Sequence, residues 1–193
     1  MRLEVLNNGY SFGTKLLFGM IKFFSGFPLP DAARLVFYRP DFYGAPAKAF
    51  TQTAMRGPSE WSVGDRELMA AYVSRQNKCA FCVKAHTATS AGAYQDPKKV
   101  TQVLMDIENA PITPALLTTL LMISKLTREN AVTAADMRTV IHAGVSPQQI
   151  EDALAVCFAF NVTNRLADSF GFSVPTDEAF EAGAKYLLKR GYA

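Results

Sequence analysis

The sequence predicts an all-α fold, and three observations predict it. No stretch sustains the period-two alternation of a strand, apolar residues recur at three- and four-residue spacings from about Asp65 onward, and prolines, glycines and capping residues mark helix ends. At 193 residues the chain is long enough for one domain with a sizeable core. A single-domain helical bundle over 1–193 is expected, with an apolar N-terminal helical extension (1–40), a core (41–175) and a C-terminal helix (176–193).

The elements follow in order. Phe12 to Phe27 is rich in Phe, Leu, Ile and Met, but Lys15 and Lys22 interrupt it and four glycines, from Gly9 to Gly26, punctuate it. It falls short of the roughly 20 clean apolar residues a spanning helix needs, and lacks the charged start and small-residue cleavage site of a signal peptide. A helix packed on the core or on a neighbouring subunit is expected there, rather than one lying on a membrane surface. Between Phe27 and Gly57, prolines at 28, 30, 40 and 46 suggest loops joining short helices. Asp65 is placed to cap a helix running to about Arg75, with Leu68, Met69, Tyr72 and Val73 as its apolar face and Glu67 in its first turn. Gln76 to Lys78 then forms a joint, with Asn77 as N-cap of a second helix from Cys79 to Tyr94 that Pro97 closes off.

Further helices are expected over Lys98–Asn109 and over the apolar Pro114–Arg128. Thr133 with Asp136, and Ser146 with Pro147 and Gln149, spell two more starts, and Gly144 stops the helix between them. Pro147 to Phe170 reads as a long, mostly buried helix, and Thr176 to Arg190 as an amphipathic one closed by Gly191.

Composition narrows the function classes. The chain is 49% hydrophobic and only 19% charged, against averages of about 45–50% and about 25%, so part of its apolar surface is expected to meet another subunit. The net charge of +3 comes without a run of five like charges, which argues against nucleic acid as a partner. Thr133 to Phe158, turned at Gly144, has the outline of a helix-turn-helix. However, Ile150, Ala153, Leu154, Ala155, Val156, Cys157 and Phe158 leave few side chains to read bases, so buried helices are expected. Three cysteines, Cys79, Cys82 and Cys157, are too few for a disulfide scaffold and favour a reducing compartment, the cytoplasm.

The chemistry concentrates in Cys79-Ala80-Phe81-Cys82-Val83-Lys84-Ala85-His86. On a helix, positions 79, 82 and 86 fall at i, i+3 and i+7, which puts both sulfurs and the imidazole on one face. Cysteines three apart can be bridged, so the pair can cycle between dithiol and disulfide. An ordinary thiol is only about 3% thiolate at pH 7, so a working nucleophile needs acidifying surroundings. A helix N-terminus favours negative charge, and His86 can take or hold a proton. Glu67 on the preceding helix is the third candidate, as an orienter of His86 or a proton relay.

The motif resembles the alkylhydroperoxidase D-like and carboxymuconolactone decarboxylase-like superfamily, whose thiol branch has a Glu twelve positions before the first Cys of Cys-x-x-Cys and a His four after the second. Glu67, Cys79, Cys82 and His86 match that spacing, and Asn161-Val162-Thr163-Asn164-Arg165-Leu166-Ala167-Asp168 with Phe170-Gly171-Phe172 is similar to its late-helix signature. The resemblance spans roughly residues 40 to 175. It implies an all-helical fold assembling as a homo-oligomer, a trimer or hexamer. It also implies Cys82 as the thiol that attacks a hydroperoxide, Cys79 as the resolving thiol, and Glu67 and His86 as a proton relay. No bound cofactor is implied, but an external dithiol reductant is, a lipoyl-bearing protein in the family's best-known member. That member has a second His between the cysteines, where this chain has Phe81, which makes the site drier. A non-peroxidatic relative, such as a decarboxylase-type lyase or a redox-sensing binding protein, is the alternative the resemblance allows.

Two Cys and one His also suit zinc, but Cys79 and His86 lie about 10.5 Å apart along an unbroken helix, awkward for ligands of one ion. His142 and Cys157 have no spacing that makes either a fourth ligand. Asn164, Arg165 and Asp168 read as a structural polar cluster at a subunit contact.

Overall fold

The computed structural model describes residues 1–192, and among them the chain forms α-helices and one short π-helix, with no strand. The helices are α1 (Val5–Asn8), α2 (Phe12–Ser25), α3 (Asp31–Tyr38), α4 (Ala45–Arg56), α5 (Val63–Gln76), α6 (Ala80–Tyr94), α7 (Pro97–Met105), α8 (Pro114–Glu129), α9 (Ala134–His142), α10 (Pro147–Phe170) and α11 (Asp177–Arg190). The π-helix, Pro40–Gly44, joins α3 to α4.

α5 is the axis of the molecule. It is not the one-faced helix its apolar residues suggest: Gly64 and every residue from Arg66 to Ser74 are buried, because α4, α6, α8 and α10 all pack on it. Small residues make that enclosure possible. A Cβ at Gly64 would lie 2.8 Å from the Tyr94 ring of α6, so only glycine admits this approach. The main core gathers Met55, Leu68, Met69, Val73, Leu120 and Ile123, all fully buried. Each such side chain contributes on the order of 1.5–3 kcal/mol by leaving water. A second, smaller cluster joins Cys79, Phe81, Cys82, Ala167 and Phe180, with Phe172 against it, where α6, α10 and α11 meet.

Several helix starts differ from the sequence reading, each for a local reason. Ser62, not Asp65, is the N-cap of α5: its hydroxyl accepts from the Asp65 N–H while the Asp65 carboxylate accepts from the Ser62 N–H, a reciprocal pair that satisfies two donors at once. Glu67 therefore lies beyond the first turn of α5, where no free N–H groups remain to offset its charge. Asn77 is the C-cap of α5 rather than the N-cap of α6, and its side chain crosses to α10 instead. Lys78 takes a left-handed conformation at φ 60°, which turns the chain so that Cys79 itself is the N-cap of α6.

The stretch from Phe27 to Gly57 is mostly helix, because its prolines sit at or near helix starts, where the missing N–H costs nothing. α7 starts at Pro97 and stops at Met105, short of Asn109, where the Asn109 side chain bonds Asp106 and its carbonyl accepts from Gln102. The capping boxes at Thr133–Asp136 and Ser146–Gln149 form as the spacing predicts. α10 buries Ile150, Ala153, Val156, Cys157 and Phe160, as a core helix does. No described helix is long and apolar enough to cross a membrane.

Candidate active site

The α5–α6 joint builds the dithiol. Cys79 at the N-cap and Cys82 three residues on both sit where the N–H groups of α6 have no helical acceptor and the dipole is positive. Both sulfurs are reduced and buried. Phe81 leans its ring on Phe172 and Phe180, with centroids 5.5 Å and 5.7 Å away, and roofs the pair with hydrocarbon. A cavity of about 360 Å³ opens beside this roof, lined by Ala80, Phe81, Ala167, Asp168 and Phe172 among others.

Glu67 and His86 meet one turn further along α6. The Glu67 Oε2 lies 2.7 Å from His86 Nδ1, and the imidazole edge packs on Phe160 at a centroid distance of 4.3 Å. Glu67 is fully buried, so its charge needs partners, and it has three. Arg56 Nη2 donates to Oε1 at 2.6 Å and the Tyr192 hydroxyl donates to the same oxygen at 2.9 Å. Burial works against the charged carboxylate, but the His86 hydrogen bond and the His86 and Arg56 charges outweigh it, and the Glu67 pKa falls below its ordinary value. A carboxylate at Nδ1 holds a proton on that nitrogen, so Nε2 is the imidazole atom left to exchange a proton with a thiol or a substrate.

Arg56 and Tyr192 escaped the sequence reading. Arg56 closes α4 and Tyr192 lies beyond α11, and neither spacing relates them to Glu67. The Arg56 guanidinium stands 5.0 Å from the Tyr192 ring centroid, so the cation, the phenol and the carboxylate form one packed unit. Burial first, and then the Glu67 charge, push the Tyr192 phenol well above its ordinary range, which keeps it a donor.

The two sulfurs titrate as a pair. The hydrogen bond from Cys82 draws Cys79 down, and the same bond together with burial pushes Cys82 up. One proton leaves readily and the second is held, and the bond alone does not decide which sulfur keeps it.

α10 supplies the surroundings. Asn164, fully buried, accepts from Asn77 at 2.9 Å and donates to Ser74 Oγ at 2.9 Å. It is part of the protomer's own interior, which corrects the reading of Asn164 as a subunit-contact residue: α10 packs on α5 and carries it inside. Arg165 is exposed and donates to the Asn161 carbonyl at 2.7 Å. Asp168 is exposed and lines the cavity with Arg2, Ala80 and Phe81.

Cys157 is buried in the main core beside Thr127 and Asn161, and His142 is exposed at the end of α9. Among the described residues, no group of three His, Cys, Asp or Glu is arranged to hold a metal ion.

Residues 40–125 match the model of the carboxymuconolactone decarboxylase family. Solved structures share the fold, two of them over nearly the whole chain. One is an uncharacterized peroxidase-related protein from Silicibacter sp. TM1040, with 24% identity, a TM-score of 0.78 and 93% of each chain covered. The other is an alkylhydroperoxidase AhpD core, an uncharacterized peroxidase-related protein from Ralstonia eutropha JMP134, with 24% identity, a TM-score of 0.74, and 91% of this chain and 92% of that one covered. Among curated proteins, no relative matches the sequence.

Proposed function

We propose that this chain, a member of the alkylhydroperoxidase D-like and carboxymuconolactone decarboxylase-like superfamily, is a thiol-dependent oxidoreductase that reduces hydroperoxides through Cys79 and Cys82. One observation carries the reading: a fully buried, charged Glu67 holds His86 at 2.7 Å on the helix whose N-terminus bears the dithiol. A buried carboxylate is costly to keep, and here it fixes an imidazole tautomer one turn from a nucleophile.

In the proposed cycle the Cys82 thiolate attacks the terminal peroxide oxygen. The S–O bond forms as the O–O bond breaks, and the leaving alkoxide takes the proton that His86 received from the Cys82 thiol. Cys79 then attacks the sulfenic acid, the S–S bond forms and water leaves. An external dithiol, lipoyl-type or another, returns the disulfide to thiols by exchange, and a small disulfide entering the same cycle makes the chain a disulfide reductase.

The test is thiol alkylation read by mass spectrometry across pH, before and after one equivalent of hydroperoxide. A Cys79–Cys82 disulfide after peroxide, absent in Cys82→Ser, is the expected result. Two thiols that stay reduced refute it.

The match to the decarboxylase family favours a second reading, a lyase in which His86 and Glu67 move protons and the sulfurs are bystanders. There, turnover survives Cys82→Ser and is lost in His86→Ala.

A further inference from the structure

The net charge of the chain is not spread evenly along it. Residues 1–48 hold six of the 20 Lys and Arg and three of the 17 Asp and Glu, while residues 49–193 hold fourteen of each, so the whole +3 resides in the N-terminal segment. The same segment carries α2, whose outer face is bare hydrocarbon. Phe12, Leu16, Met20, Phe23 and Phe24 fall at i, i+4, i+8, i+11 and i+12, one stripe along the helix, and all five are exposed, the three phenylalanines by more than four-fifths. Lys15 and Lys22, seven residues apart, flank one border of that stripe, and both are exposed. From Val5 to Pro30 the chain has no acid to answer them. The acids at either end are occupied, Glu4 by the Asn8 side chain and Asp31 by Arg34 and Ser173.

The stripe is held in a fixed attitude. Phe18, on the opposite side of α2, packs edge to face on Tyr10 and on Phe37 of α3, with centroids 5.1 Å and 5.4 Å away. Arg34 of α3 donates to the Asn7 carbonyl of α1 at 2.8 Å, and the Arg2 N–H donates to the Phe170 carbonyl at the end of α10 at 2.6 Å, which ties the N-terminal helices to the body. Docking through α2 therefore orders little that is not already ordered. With 14 residues, about 21 Å, α2 does not cross a bilayer. It is built to lie in the surface of one, stripe inward, with the lysine stems running up to the headgroups. Two copies pairing stripe to stripe fit worse, because that contact brings four lysines into one interface with no acid on either α2 to offset them.

We propose that α2 is a membrane-surface anchor: it docks the protein on a bilayer bearing anionic headgroups, with the Phe12–Phe24 stripe in the outer hydrocarbon and Lys15 and Lys22 on the lipid phosphates. None of the residues of the dithiol site takes part, so the anchor stands or falls apart from the peroxidase reading.

The experiment floats the full chain with vesicles of phosphatidylcholine alone, or mixed equally with phosphatidylglycerol, at low and at physiological salt. Wild type should rise with the mixed vesicles, less with phosphatidylcholine alone, and less as salt screens the lysines. Phe23→Ser with Phe24→Ser should weaken binding to mixed vesicles by at least about tenfold, since both rings leave the hydrocarbon. Lys15→Glu with Lys22→Glu should abolish the preference for the anionic vesicles. All four positions are exposed, so the variants should keep the wild-type unfolding midpoint. Phe24→Trp reports the place of contact. The single native tryptophan, Trp61, is buried in the main core, so quenching by brominated lipid beyond that of wild type puts α2 in the bilayer. A wild type that floats with neither vesicle overturns the proposal, as does equal binding by the phenylalanine double variant or an absence of extra quenching. A chain that ignores vesicles but self-associates, and sediments more slowly in the phenylalanine double variant, overturns it too and assigns the stripe to a second copy.

Discussion

The dithiol region and helix α2 are both rich in apolar and aromatic residues, and the chain treats them in opposite ways. Around Cys79 and Cys82, Phe81, Phe172 and Phe180 are packed edge to face, and even the ionised Glu67 is fully enclosed. Along α2 no residue is buried, and Phe12, Phe23 and Phe24 are 84%, 82% and 83% exposed. Apolar content therefore does not by itself say what is inside. The dithiol region is enclosed because α6, α10 and α11 meet on it, and the buried Glu67 carboxylate beside it has a partner at each oxygen. α2 is held at its middle, where the Phe18 ring packs edge to face on Tyr10 and on Phe37 of α3, and leaves its outer stripe open.

Substitutions sharpen the contrast. Glu67→Ala leaves Arg56 without its carboxylate in a dry site and should cost about 3–5 kcal/mol in chemical denaturation. An effect below about 1 kcal/mol would show that Arg56 reaches water and that the region is looser than its geometry.

The pH dependence has a definite sign. The Glu67 pKa is lowered in the fold, so its contribution is fully present above the unfolded carboxylate value and is lost as pH falls through the folded one. Urea denaturation from about pH 7 down to about pH 3 should show stability falling below roughly pH 4.5, with a shallower fall in Glu67→Gln. Equal slopes would assign the acid sensitivity to other carboxylates.

Tyr192→Phe removes one of the two donors to Glu67 Oε1 and should cost about 1 kcal/mol, while shifting the alkylation pH profile through Glu67 and His86. An unchanged profile would leave Tyr192 a packing residue.

The smallest effect on folding belongs to α2. Phe23→Ser with Phe24→Ser should move stability by less than about 0.5 kcal/mol each. If a second copy of the chain covers the stripe, the same pair of changes lowers the sedimentation coefficient. Identical sedimentation would remove α2 from any subunit contact.

The sequence by itself determined the helical class and most helix starts, and it put forward the four central candidate residues. These are local properties: caps, prolines and three- and four-residue spacings act within a turn or two, and Cys79, Cys82 and His86 share one short segment. Glu67 was legible only because its spacing from the cysteines resembled a known motif. Tertiary structure decided the rest. Arg56 lies eleven residues before Glu67 and Tyr192 one hundred and twenty-five after it, and only the packing of α4, α5 and α11 makes them neighbours. The long reach of α10 likewise carried Asn164 into the interior between Asn77 and Ser74, although it had read as part of a polar cluster at a subunit contact. A side chain's backbone neighbours are written in the sequence order. Its partners in a buried charge network are set by how helices cross, and desolvation makes those partners matter most.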